Sequence, residues 1–418
     1  MTISKFYLYF FFFLMLPFIG GYIPAVKNMP GLNIDTIFLS VFPLLLIPLI
    51  IKIIIREKRR PNLSKIAIWF FLYHTYIFLN AMVQQTELRE SLYIGAISVL
   101  AFLILIDNLE YTERDFAIFN NILLIVGMGT FVVSFIQFTI DPFFYKGVRP
   151  EVVRSFSGYY RNSSIFTGIG NNEGGIAIIC LVIYFLFCNY YKISLKYLIL
   201  TAMLFFSAFV TFSRYIWLTP IISLPIFVGT KYRKSVRLSI FCFAIFLLII
   251  VYWLFFPAVT DSVIYQDRLF DKTIDARTES SYLFFKDYFF TSPIFGYGKS
   301  SWDSDSFLSA FGTGLGIHVG WFDIIFRGGL VGLFLYCGFI YQIYKKGLEI
   351  FRKTRNPIFF LFIAVFILIN FTACLTDICY YGYYFMLFYL FLYYKLFVEK
   401  PLLVKQQISL NNAAKRNV

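Results

Sequence analysis

Apolar runs long enough to cross a bilayer, about 17 to 25 residues each, recur from one end of this chain to the other. "FYLYFFFFLMLPFIGGY" near the start and "IFFLFIAVFILINFTACL" toward the end are two of them. In hydrocarbon every backbone N–H and C=O must find its partner within the protein, so such runs cross as helices. An outer-membrane barrel would instead show alternating segments of roughly 10 residues. With 59% hydrophobic and only 14% charged residues, the composition excludes a soluble domain. The expected fold class is an all-α polytopic membrane protein. Its first run follows Lys5 and is expected to be an uncleaved span, because no small-x-small cleavage site follows its apolar core.

Charged and Pro/Gly-rich breaks divide the sequence into about twelve spans: 6–22, 37–55, 66–82, 92–106, 116–140, 175–190, 195–212, 215–228, 238–256, 321–344, 358–375 and 378–397. The formal charge of +14 lies in the short loops between them, which orients a chain in a membrane and does not point to nucleic acid. Alternating the spans puts "KIIIREKRRPNLSK", "KYRKSVR", "KKGLEIFRKTR" and the C-terminal tail on one side. By the positive-inside rule that side is cytoplasmic, and both termini are expected there. Two long loops, 141–174 and 257–320, then face outward, the second between spans nine and ten. With no internal repeat and no low-complexity linker, residues 1–418 are expected to form one membrane domain.

Several chemistries lose support. The six cysteines lie in or beside apolar segments, where thiols behave as small hydrophobes, so neither a disulfide framework nor a zinc site is expected. There is no Walker A motif, Rossmann fingerprint, HExxH or GxSxG. Asp303 and Asp305 in "WDSDSF" have the D-x-D spacing of metal-binding glycosyltransferases, but the topology puts them outside, away from nucleotide sugars. No metal or cofactor is expected.

The informative residues are polar groups at the outer boundary. Arg161 lies in "GYYRNSSIFTGIGNNEGG" before span six, Arg214 in "TFSRYIWL" between spans seven and eight, and Arg277 in "DARTESSYLFFKDYF" within the long loop. His318 lies just before span ten, with Asp323 and Arg327 inside it. An arginine at a helix end often snorkels to head groups, the bland reading for Arg161. Arg214 interrupts continuous apolar sequence and is a functional candidate. Asp323 and Arg327, spaced i, i+4, can neutralise one another as a structural pair; Arg327 also stands beside Arg161 as a candidate substrate-binding residue. His74, in "FLYHTYIF", reads as packed in a bundle interior. Gly312/Gly316, Gly316/Gly320 and Gly328/Gly332 are small-xxx-small pairs that let helices approach. Arginine binds phosphate through a planar, permanently charged fork, and a neutral histidine can take a proton from a sugar hydroxyl. The combination fits transfer from a lipid pyrophosphate.

Four segments carry a resemblance to the O-antigen polymerase and O-antigen ligase superfamily. Its histidine motif is His, then Asn, Ser or Gln, then nine residues and G-x-x-G. Here it is His318, Val319, nine residues, and Gly329-Leu330-Val331-Gly332, with valine in place of the polar residue. "SPIFGYG" resembles the family's Pro-x-x-Gly-x-Gly segment, and "ARTESSYLFFKDYF" its preceding arginine-led helix. "TFSRYIWLTP" resembles the Ser/Thr-Arg turn. "RNSSIFTGIGNNEGG" resembles the Arg-x-x-Gly-x-Phe-x-x-x-Asn element, with Ser164 where glycine is usual.

The resemblance implies a metal-independent membrane glycosyltransferase of the bacterial inner membrane with a periplasmic active site. It implies that Arg214 and Arg277 bind the pyrophosphate of an undecaprenyl-linked donor, that His318 activates the acceptor hydroxyl, and that Arg161 contacts a phosphate or the acceptor lipid. Expected partners are undecaprenyl-pyrophosphate-linked oligosaccharides, membrane lipids, a chain-length regulator and a flippase. Val319 favours a polymerase over a ligase that moves finished polymer to lipid A-core. A flippase for lipid-linked oligosaccharide is the alternative from another class. It would line its midplane with charge, whereas these cations gather at the outer face.

Overall fold

The architecture comes from a computed structural model. It describes residues 47–48, 50–58, 60–86, 96–97, 100–101, 103–104, 107–108, 112–144, 155–156, 159–160, 164–165, 178–179, 181–186, 194–211, 281–299, 317 and 320–354. The regular structure among these residues is helical apart from an antiparallel pair of two-residue strands, β1 (Ser155–Phe156) and β2 (Tyr159–Tyr160). The main helices are α1 (Lys65–Val83), α2 (Glu113–Thr139), α3 (Leu195–Phe209) and α4 (Gly320–Thr354). Among the described residues three helices are long and apolar enough to cross a membrane: Lys65–Val83, Asn120–Thr139 and Gly320–Lys353.

Helix starts follow their caps. Ser64 Oγ accepts from the Ala67 N–H at 3.2 Å and opens α1. Thr112 and Asp115 form a reciprocal capping box at the start of α2, which satisfies two of the four N–H groups a helix start leaves orphaned. The α1 cap is also tied to residues 107–108: Ser64 N–H donates to Asp107 and Asn62 N–H to Asn108. The end of expected span four thus meets the start of expected span three, as antiparallel neighbours do.

α4 packs along α1 in the opposite direction. Tyr336 meets Tyr73 and Phe339 meets Phe70, while Gly328 and Gly332 lie against Tyr76 and Ile77. A Cβ on Gly328 would fall 2.8 Å from Ile77 Cδ1, and one on Gly338 would run into the Trp69 ring. The Gly328/Gly332 pair is the expected seam; lipid tails are as apolar as side chains, so close backbone approach supplies the packing. Gly312 and Gly316 lie outside the described residues. α2 and α3 run parallel instead: Asn120 bonds Tyr197, and Phe131, Phe135 and Phe138 gather on Phe206.

α4 differs from expectation at both ends. It continues past 344 to Thr354, where Lys346 and Lys353 both pair with Glu349, at 3.2 and 3.0 Å. It is also broken near its start, since Gly329 has φ 59 and ψ −160.

Candidate functional site

Among the described residues, the break in α4 gathers an unusual set of polar backbone contacts. A helical residue 330 would donate its N–H to the carbonyl of 326, and residue 331 to that of 327. Here Leu330 N–H donates to Pro293 O at 2.9 Å and Val331 N–H to Ile294 O at 3.2 Å. The freed carbonyls are taken up in turn: Tyr297 N–H donates to Phe326 O at 2.8 Å, and Gly298 N–H to Arg327 O at 2.9 Å. The loop 292–298 is therefore inserted into the helix backbone. Irregular backbone at the edge of a membrane persists only where protein satisfies it in this way.

Two glycines make the insertion possible. A Cβ on Gly329 would fall on the Ile294 carbonyl group, and one on Gly296 would lie 2.5 Å from Gly329 N. Both have φ in the left-handed region, 59 and 67. For Gly329 the ψ near −160 adds a conformation that is essentially glycine's alone. The Pro-x-x-Gly-x-Gly and G-x-x-G segments, far apart in sequence, thus meet backbone to backbone.

α1 closes the knot from the side. Asn80 Nδ2 donates to Phe295 O at 2.7 Å and to Arg327 O at 3.1 Å. Tyr76 Oη lies 2.8 Å from Gly328 O and 3.3 Å from Phe295 O, and Thr86 Oγ1 donates to Gly298 O at 3.1 Å. Sequence reasoning passed over Asn80 and Tyr76. The available signal was a polar pair at i, i+4 near the end of an apolar span.

Beneath the loop an aromatic wedge joins three segments. Phe284, Ile317 and Phe326 are buried together, with Tyr288, Tyr297 and Phe322 packed against them. Phe284 lies in a π-helical turn, Phe284–Phe289, and Tyr297 stacks on Phe326 with centroids 4.7 Å apart. Tyr297 Oη donates to Tyr288 O at 2.8 Å. Burial pushes the phenols of Tyr288 and Tyr297 up from their ordinary value. Both stay protonated at physiological pH, and Tyr297 serves as a donor, not a base.

Among the expected site residues, Arg327 is described and lies inside this knot. Its Nη2 is 3.6 Å from Asp323 Oδ2, with side chains 6% and 0% exposed, so the i, i+4 pair forms in the protein interior. His74 is packed as expected: it stacks on Phe70 at 4.1 Å and its Nδ1 is 3.0 Å from Phe70 O. Arg161, Arg214, Arg277 and His318 lie outside the described residues, as do Val319 and the D-x-D pair. Described neighbours flank each of the four in sequence. Ile317 is fully buried beside His318, and the helical turn from Ser281 follows Arg277. α3 ends at Val210 and Thr211, where Thr211 Oγ1 donates to Ala208 O at 2.7 Å, shortly before Arg214.

Ser164, three residues after Arg161 in sequence, stands in left-handed backbone. Its φ is 62. The serine is held by Gln137, whose Oε1 accepts from Ser164 N–H at 3.1 Å and whose Nε2 donates to Ser164 O at 3.2 Å. Its own hydroxyl donates to Thr130 O.

No curated protein matches the chain significantly. A family model described as O-antigen ligase matches residues 197–337, a stretch that takes in most of α3, the inserted loop 292–298 and the broken start of α4. That match supports a likeness to the O-antigen polymerase and ligase superfamily over this stretch, and it does not separate polymerase from ligase.

Proposed function

We propose that the chain is an O-antigen polymerase, a metal-independent glycosyltransferase that works at the periplasmic face of the inner membrane. The growing polysaccharide, held on undecaprenyl pyrophosphate, passes to the sugar at the non-reducing end of an incoming undecaprenyl-pyrophosphate-linked unit. The observation that carries this reading is the family match over 197–337, together with the built junction between the two glycine motifs inside it.

In the step proposed, the acceptor hydroxyl oxygen attacks the anomeric carbon of the donor's terminal sugar. The bond from that carbon to the pyrophosphate oxygen breaks, and undecaprenyl pyrophosphate leaves with the electron pair. His318 takes the hydroxyl proton. Arg214 and Arg277 stabilise the charge gathering on the leaving pyrophosphate, as fixed cations do best where water is excluded. Arg161 is assigned a phosphate or the acceptor lipid. Arg327 is kept as a substrate-binding candidate whose neutralisation by Asp323 argues for a structural role. A chain-length regulator and a flippase are the expected partners, and both termini are assigned to the cytoplasm.

The second reading is the ligase, the activity that the family model's description names, in which the acceptor is lipid A-core. Deleting the gene in its host separates the two. A polymerase leaves lipopolysaccharide capped with one repeat unit, whereas loss of all O-units points to the ligase or to a flippase. His318→Ala and Arg214→Ala are expected to insert normally and to lose polymer, by about 10² to 10⁴ in rate for a general base. Full-length chains from both variants would remove these residues from the mechanism.

A further inference from the structure

We infer that Asn80 and Tyr76 of α1 are positioning residues for the transfer step: they fix the tilt of the first helical turns of α4, and with it the chain that carries His318. The inference rests on the role given to His318 above.

Asn80 is 7% exposed in an otherwise apolar helix and spends both amide protons on carbonyls of two different segments, Phe295 of the inserted loop and Arg327 of the broken helix. One side chain thus sets the register between them. Tyr76, one turn earlier on the same face, has a single hydroxyl proton and donates it to the nearer carbonyl, Gly328 O at 2.8 Å. The carbonyls of Arg327 and Gly328 belong to the turn that the break opens, where Val331 N–H has turned away to Ile294 O and Arg327 O is held by Gly298 N–H and Asn80.

Upstream of that turn, residues 320–328 form a short helix, and Ile317, three residues earlier in the chain, is buried against Phe284 and Phe326. Nine helical residues span about 13 Å. A tilt of about 10° at the break would therefore move the far end, next to His318, by about 2 Å. Displacements of about 1 Å between reacting groups can cost about 10² in rate. The amide and phenol are proposed to act through backbone and not on substrate, and so are positioning residues and not catalytic ones.

The test uses the purified full-length chain in lipid nanodiscs with an undecaprenyl-pyrophosphate-linked repeat unit as donor and acceptor. Folded protein, kcat and the KM for the lipid-linked unit are measured for each variant. Asn80→Asp keeps the shape but turns two donors into acceptors that face carbonyls. Its kcat per folded molecule is expected to fall by about 30- to 100-fold with KM within about twofold. Tyr76→Phe keeps the ring packing and is expected to lose about 5- to 10-fold in kcat, so it carries the test if Asn80→Asp folds poorly. Asn80→Gln, which restores amide donors, should recover part of what Asn80→Ala loses. Losses that track the folded fraction, a change confined to KM, or undiminished kcat in Tyr76→Phe would each overturn the inference. His318→Ala in the same assay separates the two levels: an inactive His318→Ala beside a fully active Tyr76→Phe sinks the positioning role alone. An active His318→Ala sinks the reading on which it rests, and the inference with it.

Discussion

The knot of α1, α4 and the loop 292–298 and the junction of α2 with Ser164 use one device at different tolerances. In each, an amide from a spanning helix clamps the backbone of an irregular segment: Asn80 holds the carbonyls of Phe295 and Arg327, and Gln137 holds the N–H and carbonyl of Ser164. Each also contains left-handed backbone. In the knot that backbone is glycine, because other backbone occupies the space where a Cβ would stand. At Ser164 a side chain fits, and its hydroxyl makes a buried hydrogen bond to Thr130 O. A positive φ alone therefore does not demand glycine; a second strand of backbone at contact distance does.

The sharpest way to break this contrast is to add a methyl at Gly329. Gly329→Ala would drive its Cβ onto the Ile294 carbonyl and force a conformation that L-residues avoid. The bonds from Leu330 and Val331 to the loop would have to part. We expect a loss of about 4 kcal/mol or more, read as little folded protein recovered from the membrane. Gly329→Ser should fare no better, since a hydroxyl cannot relieve a backbone clash. Normal yields of either variant would end the distinction drawn here.

A somewhat smaller effect separates structure from chemistry at Arg327. Removing either member of the Asp323–Arg327 pair takes a charge partner from the other inside the protein, so Arg327→Leu and Asp323→Leu alone are each expected to cost about 3 to 5 kcal/mol. The double variant removes both charges and should fold far better than either single one, a coupling readable in thermal midpoints. If the pair is purely structural, the folded double variant makes polymer. A folded but inactive double variant would assign Arg327 to the substrate.

What could be read in advance follows from where the information lies. Residues 66–82 were expected to span and α1 runs Lys65–Val83; 116–140 compares with Glu113–Thr139 for α2. An apolar run bounded by caps and charges dictates a helix from its own residues alone. The break at Gly329 was not legible, because two adjacent glycines in an apolar run read equally well as a packing seam. Gly328 does serve as that seam, against Ile77, while its neighbour admits a loop some thirty residues away in the chain. Asn80 was hidden for the same reason: a polar residue near a span's end has no visible partner until the loop it holds is in place. The resemblance named both glycine motifs by order and spacing, but neither motif contains the fact that they interlock.

The finest test of the comparison is at Ser164, where small differences carry opposite signs. Ser164→Ala loses the hydrogen bond to Thr130 O and keeps the left-handed strain, and should cost about 1 to 2 kcal/mol. Ser164→Gly loses the same bond but relieves about 1 kcal/mol of backbone strain, so it should fall between alanine and the native serine. In a helix the order would be reversed, since glycine is the poorer residue there by about 1 kcal/mol. Thermal midpoints of the two variants decide it. An alanine variant more stable than the glycine one would mean that φ at 164 is not held in the left-handed region, and that the family's usual glycine there answers to something other than backbone conformation.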